Sequence, residues 1–255
     1  MSFSMRSVIV TGATSGIGRA TAEAFGRAGA RLVLVGRDAA ALADTGAAVA
    51  AAGGERTECP ADVTASGTPA RIVGAAIEAY GGIDVLVNAA GVIAGGTLES
   101  TTDETWDSMM AVNVRAPFRL MREAAPHLAT RKGSIVNVSS VNGLRAFAGV
   151  LAYNVSKAAL DHLTRCAALE MAPMGVRVNA VNPGVTVTNL HRRSGMAEEQ
   201  YGAFLERAKQ THPLGRPGQA DEIASLILYL ASEQAAWMTG ETIPIDGGRH
   251  LTCLR

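Results

Sequence analysis

Ser7-Val8-Ile9-Val10-Thr11-Gly12-Ala13-Thr14-Ser15-Gly16-Ile17-Gly18 is the stretch that decides the fold. Its β-branched run, residues 7–10, reads as a buried strand entering a glycine turn. From Gly16 to residue 28 the pattern is helical. Phosphates bind where a helix N-terminus presents free N–H groups and the positive end of its dipole. Glycines permit the tight turn and let the backbone approach a pyrophosphate with no Cβ in the way. No Gly-Lys-Ser/Thr follows, so this is not a Walker loop. An ordinary glycine-rich turn is the competing reading in a chain with 28 glycines. Its place between the first strand and the first helix favours the phosphate site.

Outward from that unit, short apolar runs alternate with helical stretches and no linker intervenes. Further strands are predicted at 31–35, 57–60, 83–87, Ser134–Val138, 176–181 and 241–245. Helices are predicted at 38–52, 66–80, 102–130, Leu151–Met171, 198–209 and 220–232. Asp38 is a natural N-cap, while Pro117 and Pro126 should bend or interrupt the long helix. Short apolar strands separated by helices are parallel and covered on both faces. The chain is therefore read as α/β, a single doubly wound domain over 1–255 with a seven-stranded, mostly parallel sheet.

Composition narrows the function. Lys+Arg and Asp+Glu are 23 each, so the formal charge is zero and nothing attracts nucleic acid or an anionic membrane surface. Aromatics at 4% leave little for base stacking. Cys59, Cys166 and Cys253 are widely spaced with no CxxC pair, which excludes a disulfide framework or zinc site and suits a reducing cytoplasm. The five histidines form no HExxH arrangement, so no metal is expected. The opening residues lack the apolar core of a signal peptide and no apolar run is long enough to span a bilayer. A cytoplasmic protein with no membrane or nucleic-acid partner is expected.

Tyr153-Asn-Val-Ser-Lys157 carries the chemistry. Residues four apart share a helix face, and a neighbouring cation lowers a phenol from its ordinary pKa of about 10. Alone, such a pair reads better as a solvated helix face. Its company is Ser140, just after a strand end, and Asn113 on the long helix.

With these residues the sequence resembles the classical short-chain dehydrogenase/reductases over essentially its whole length. The match rests on residues 11–18, Asp62-Val63, Asn88-Ala89-Ala90-Gly91, Asn113, Ser140, Tyr153-x-x-x-Lys157, Asn182-Pro183-Gly184 with Thr188, and Asp246-Gly247-Gly248. The resemblance implies a Rossmann-type domain and an enzyme interconverting a carbonyl and a secondary alcohol with NAD(P)(H). Tyr153 would be the acid/base. Lys157 would lower its pKa and hold the nicotinamide ribose, Ser140 would orient the substrate oxygen, and Asn113 would hold a water linking Lys157 to solvent. Gly12, Thr14, Ser15, Gly16, Ile17 and Gly18 would cradle the pyrophosphate. Asp62, with Val63, would recognise adenine, and Asn88, Ala89 and Gly91 the adenosine ribose. Pro183, Gly184, Thr186 and Thr188 would fix the carboxamide. Capping for Asp62 and strand-tying for Asn88 are the competing structural roles. Ala89 and Thr186 depart from the family's Asn and Ile.

A 3-oxoacyl-carrier-protein reductase is an alternative within the family, and a non-catalytic dinucleotide sensor is one outside catalysis. An extended-family epimerase is excluded by Ser15, and a serine hydrolase by the lack of Gly-x-Ser-x-Gly. Residues 140–153 and a lid over about 186–213 should wall the substrate pocket. Leu144, Phe147, Val150 and Leu151 would be its apolar part, and Arg145, His191, Arg192 and Arg193 candidates for an anionic group. NADP(H) is favoured over NAD(H), because Gly36 stands where NAD-preferring relatives carry an acid and Arg37 can pair with a 2′-phosphate. Asp38 turned inward, and Ser15 in place of a second basic residue, weigh the other way. In similar enzymes the long helix and the Tyr153 helix pair across a two-fold and the 241–245 end adds another interface, so a homotetramer is expected, with a dimer as the fallback.

Overall fold

The structure, a computed structural model, describes residues 1–252; Cys253 lies outside them. Seven strands form one sheet: β1 Ser7–Thr11, β2 Arg31–Gly36, β3 Glu55–Pro60, β4 Val85–Asn88, β5 Ser134–Val138, β6 Arg177–Pro183 and β7 Thr242–Ile245. Their order is β3-β2-β1-β4-β5-β6-β7 and every pairing is parallel, not merely most.

Alternation along each strand builds two cores. Val8, Val10, Leu32, Leu34, Val85 and Val87 face Phe25 of α1 (Gly16–Arg27), Leu42 of α2 (Ala39–Ala51) and Ile227 of α10 (Ala220–Ala231). Ile9, Val33, Leu86 and Ile135 face α3 (Thr68–Tyr80), α5 (Ala116–Arg131) and α7 (Leu151–Met171) through Ile72, Leu120, Leu128 and Met171. The inner strands β1, β2, β4 and β5 are thus buried on both faces, as a helix-covered parallel sheet requires, while the edge strand β3 is largely exposed. Asp38 caps α2 by accepting from the Ala41 N–H at 3.0 Å. Cys59 is buried and Cys166 exposed, both as free thiols.

The predicted helix 102–130 is really three pieces. α4 (Asp103–Met110) passes through a π-helical turn, Ala111–Arg115, into α5. Pro117 follows the π turn directly, at the start of α5, and Pro126 lies inside α5 without ending it. The break thus comes before the prolines, at Asn113. The short helices α6 (Val141–Leu144) and α8 (Leu190–Arg193) and the longer α9 (Glu198–Thr211) complete the α-helices among the described residues.

The strand order reverses between β1 and β4, so the loops leaving their carboxyl ends part and leave a crevice. Register places Thr11 beside Asn88 and Asn88 beside Asn137, which levels these ends. No helix among the described residues is long and apolar enough to cross a membrane.

Candidate active site

The crevice is a cavity of about 360 Å³ above the carboxyl edge of the sheet. Gly12 has φ +69°, and a Cβ there would lie 2.8 Å from the Ala89 carbonyl oxygen. A Cβ on Gly18 would collide with the Gly12 carbonyl. Thr11 Oγ1 accepts from the Ala89 and Ala90 N–H groups at 3.1 Å each, locking the glycine turn to the loop after β4. The N-terminus of α1 has no side-chain cap, and Ser15, Gly16, Ile17 and Gly18 line the cavity. Uncapped first-turn N–H groups beside a backbone stripped of side chains fit a pyrophosphate.

Ala89, Gly91, Tyr153, Lys157, Pro183, Gly184, Thr186 and Thr188 line the same cavity, as expected of cofactor-contacting residues. Five expected cofactor residues do not: Thr14, Arg37, Asp62, Val63 and Asn88. Thr14 packs toward Gly36, while Arg37 and Asp62 leave the ends of the adjacent strands β2 and β3, close enough for their charges to interact. Asp62 accepts from the Thr64 N–H and hydroxyl at 2.9 and 2.7 Å, bonds that hold its carboxyl below the usual range. Asn88 takes the strand-tying role: its buried Nδ2 donates to Asn137 Oδ1 at 2.8 Å.

Ser140, Tyr153 and Lys157 converge in the cavity. Ser140 caps α6 just after β5; its hydroxyl donates to Asn142 Oδ1 at 3.1 Å and lies near enough to the Tyr153 phenol to act on it. Lys157 Nζ is buried, donates to the Val138 carbonyl at 2.8 Å and stands 5.7 Å from the Tyr153 ring centroid. Burial pulls its pKa down to about 8 against the opposing pull of Asp161. Burial also pushes the Tyr153 phenol up, and Ser140 only partly offsets this. Burial is thus the larger influence on this phenol.

Asn113 stands behind the cavity. It is fully buried, exchanges hydrogen bonds with the Val92 N–H and C=O at 3.0 and 2.9 Å, and donates to Ser156 Oγ at 3.0 Å. Its amide clamps the loop after β4 to the π turn.

Of the expected substrate wall, Phe147 and Val150 line the cavity, whereas Leu144 and Leu151 do not. His191 and Arg193 line it too. Arg192 is committed elsewhere, pairing with Glu198 at 2.6 Å and stacking 3.9 Å from the Tyr201 ring centroid. Arg145 donates to the His250 and Thr252 carbonyls. Segment 186–213 folds as α8 and α9 and is fastened by Tyr201, whose hydroxyl donates to the Thr188 carbonyl at 2.9 Å. Sequence reasoning missed Ile93 and Arg249 in the lining; Asn142 and Phe204 fall inside the segments expected to wall it without being singled out. None stands at a spacing that marks it; the tertiary fold alone delivers them.

A helix-covered parallel sheet, a glycine-lined crevice at its switch point and a Ser-Tyr-Lys cluster define a dinucleotide-binding oxidoreductase. The family model described as "Enoyl-(Acyl carrier protein) reductase" matches residues 12–250. An uncharacterized oxidoreductase of Thermotoga maritima is 37% identical over 97% of this chain and 98% of that protein. The 2,5-dichloro-2,5-cyclohexadiene-1,4-diol dehydrogenase LinX of Sphingobium indicum is 36% identical over 94% of each. A Caenorhabditis elegans short-chain dehydrogenase/reductase of unknown function, solved with cofactor, superposes with a TM-score of 0.92 at 34% identity, covering 98% of this chain and 97% of that one. The chain belongs to the short-chain dehydrogenase/reductase family.

His212 holds the Gly184-Val185 segment from behind. Its Nε2 accepts from the Val185 N–H at 3.2 Å, so Nδ1 carries the proton and donates to the Ala208 carbonyl at 2.9 Å. Burial holds its pKa below the ordinary value. A histidine depressed in the folded state stabilises the fold fully above its unfolded pKa of about 6.5, and that stabilisation is lost as pH falls below it. Urea unfolding should show wild type losing its margin over His212→Gln as pH drops from about 7 to 5. A margin constant across that window would refute the neutral-imidazole contact.

Proposed function

We propose that this chain is a NAD(P)(H)-dependent oxidoreductase interconverting a carbonyl and a secondary alcohol on a small molecule, with Tyr153 as acid/base. The convergence of Ser140, Tyr153 and Lys157 in the glycine-floored cavity carries this reading. When bound, the nicotinamide dinucleotide supplies or accepts a hydride. Tyr153 gives its phenolic proton to the substrate oxygen, or takes the alcohol proton in the other direction. Ser140 Oγ, its orientation set by Asn142, hydrogen-bonds that oxygen. Lys157, charged below about pH 8, stabilises the phenolate that Tyr153 becomes after proton transfer. A raised phenol pKa keeps the proton on Tyr153 until charge builds on the substrate oxygen, which suits an acid in carbonyl reduction.

NADP(H) is the favoured cofactor. A Cβ on Gly36 would lie 2.5 Å from Thr14 Cγ2, so the end of β2 has no room for the acid that would repel a 2′-phosphate. Asp38 is engaged in capping α2, and Arg37 beside it is exposed. A charge-assisted bond from a guanidinium to phosphate is worth about 1.5–3 kcal/mol, a preference of tenfold or more.

A homotetramer, or at least a dimer, is the assembly this surface supports. Met110, Val114, Phe118 and Leu163 of the π turn, its flanking helices and α7 form an apolar surface cavity edged by Arg115, Arg119 and Arg122. Exposed Leu169 lies further along α7. A second copy of the same helices would bury these side chains against each other.

Three measurements test these statements. Tyr153→Phe should lower kcat on any carbonyl substrate at least about a hundredfold while cofactor affinity stays within error; a variant retaining most of its turnover would remove Tyr153 from the acid/base role. Wild type should show a higher kcat/KM with NADPH than with NADH, and Arg37→Ala should lower the ratio about tenfold or more. An unchanged ratio would end the assignment of Arg37. Light scattering at micromolar protein should give a tetramer or dimer mass, and a monomer would refute assembly.

A further inference from the structure

Tyr153, Lys157 and Asp161 are spaced by four on α7 and so share one helix face. Asp161 is a buried carboxylate with no place in the chemistry above. Its Oδ2 accepts from Asn182 Nδ2 at 2.8 Å, and the same Nδ2 donates to the Ser140 carbonyl at 2.8 Å. The hydroxyl of Ser139, next to Ser140, donates to the Lys157 carbonyl at 3.2 Å. Gly143 in α6 leaves the room: a Cβ there would collide with Asp161 Oδ2. Asp161 Oδ1 is buried with no hydrogen-bond partner. A bare carboxylate oxygen in an apolar interior is costly unless a nearby cation offsets it.

We propose that Asp161 is a positioning residue for this centre, fastening the Ser140 end of β5 through Asn182 and keeping the Lys157 ammonium charged from one helical turn behind. It rests on the roles given to Ser140 and Lys157 under the proposed function. The charged groups acting on each partner are few. Asp161 acts on Lys157, while Lys157 and Arg165 act on Asp161. The pair's hydrogen bonds run to the Val138 carbonyl at the end of β5 and to Asn182 on β6, with Asn113 and Gly91 close to the Lys157 end. Burial drives Lys157 toward neutrality and Asp161 is the one opposing charge, so removing it discharges Lys157 at lower pH.

Direct titration reads this without any substrate. The chain holds three lysines, Lys132, Lys157 and Lys209, and the other two are exposed. Protein labelled with [ε-13C]lysine therefore gives three resolvable signals. Lys157 should titrate near 8 in wild type. In the isosteric Asp161→Asn it should titrate lower by about half a unit or more. Asp161→Ser, smaller but still able to bond Asn182, should give the same direction should the amide disturb folding. The alkaline fall of carbonyl-reduction kcat/KM should move to lower pH by the same amount. A Lys157 signal unmoved in a folded variant overturns the inference. A shifted signal with an unmoved activity profile upholds Asp161 and instead overturns the role given to Lys157 in catalysis.

Discussion

Asn137, a fully buried amide near the carboxyl end of β5, is the contact on which the site depends. Its Oδ1 accepts from Asn88 on β4 at 2.8 Å and its Nδ2 donates to Thr164 on α7 at 2.9 Å. Apolar packing alone lets a helix slide on a sheet, because it has no direction. An amide pair in a dry interior does not, since leaving either half unpaired costs about 1–3 kcal/mol. The same strand end holds α7 twice more, through Lys157 Nζ on the Val138 carbonyl and Ser139 on the Lys157 carbonyl. Tyr153 and Lys157 are thus set against the sheet by directional bonds rather than by fit. The register of β1, β4 and β5 then brings the glycine turn to the same level.

Burial that fixes this geometry also sets its charges. Tyr153 is pushed up and Lys157 pulled down by one cause, the loss of water. Neither shift needs the other residue. The cluster sits closer to two neutral groups than a solvated tyrosine–lysine pair would, and small fixed charges therefore carry weight there. Asp161 is such a charge, and the Ser140 hydroxyl near the phenol is the other influence.

Much of the fold was legible because each element announced itself locally. β1, the glycine turn and α1 read directly from a β-branched run, Gly12, Gly16 and Gly18. The Asp38 cap, the strand Ser134–Val138 and the helix Leu151–Met171 stand as the pattern places them. The helix predicted over 102–130 is where local reading stopped. Prolines are visible breakers, but Pro126 is tolerated and the interruption is a π turn. That turn carries Asn113, whose amide satisfies both backbone groups of Val92, a partner far away in sequence. No window of sequence contains that pair, so no local rule finds it.

The sequence by itself determined a parallel sheet sheathed by helices, a phosphate-sized gap after β1 and a tyrosine and lysine on one face of a helix. These follow from periodicity, glycine and spacing, which act over a few residues. Tertiary structure alone decided that Asn88 ties strands rather than reaching the crevice, and that Arg192 and Arg145 are committed to Glu198 and to backbone carbonyls. It likewise decided that Asp161 lies buried behind Lys157 and that desolvation is the larger influence on the phenol. Polar side chains reach whichever partner is left unpaired nearby, and burial depends on everything packed around a site. Both are properties of the assembled chain.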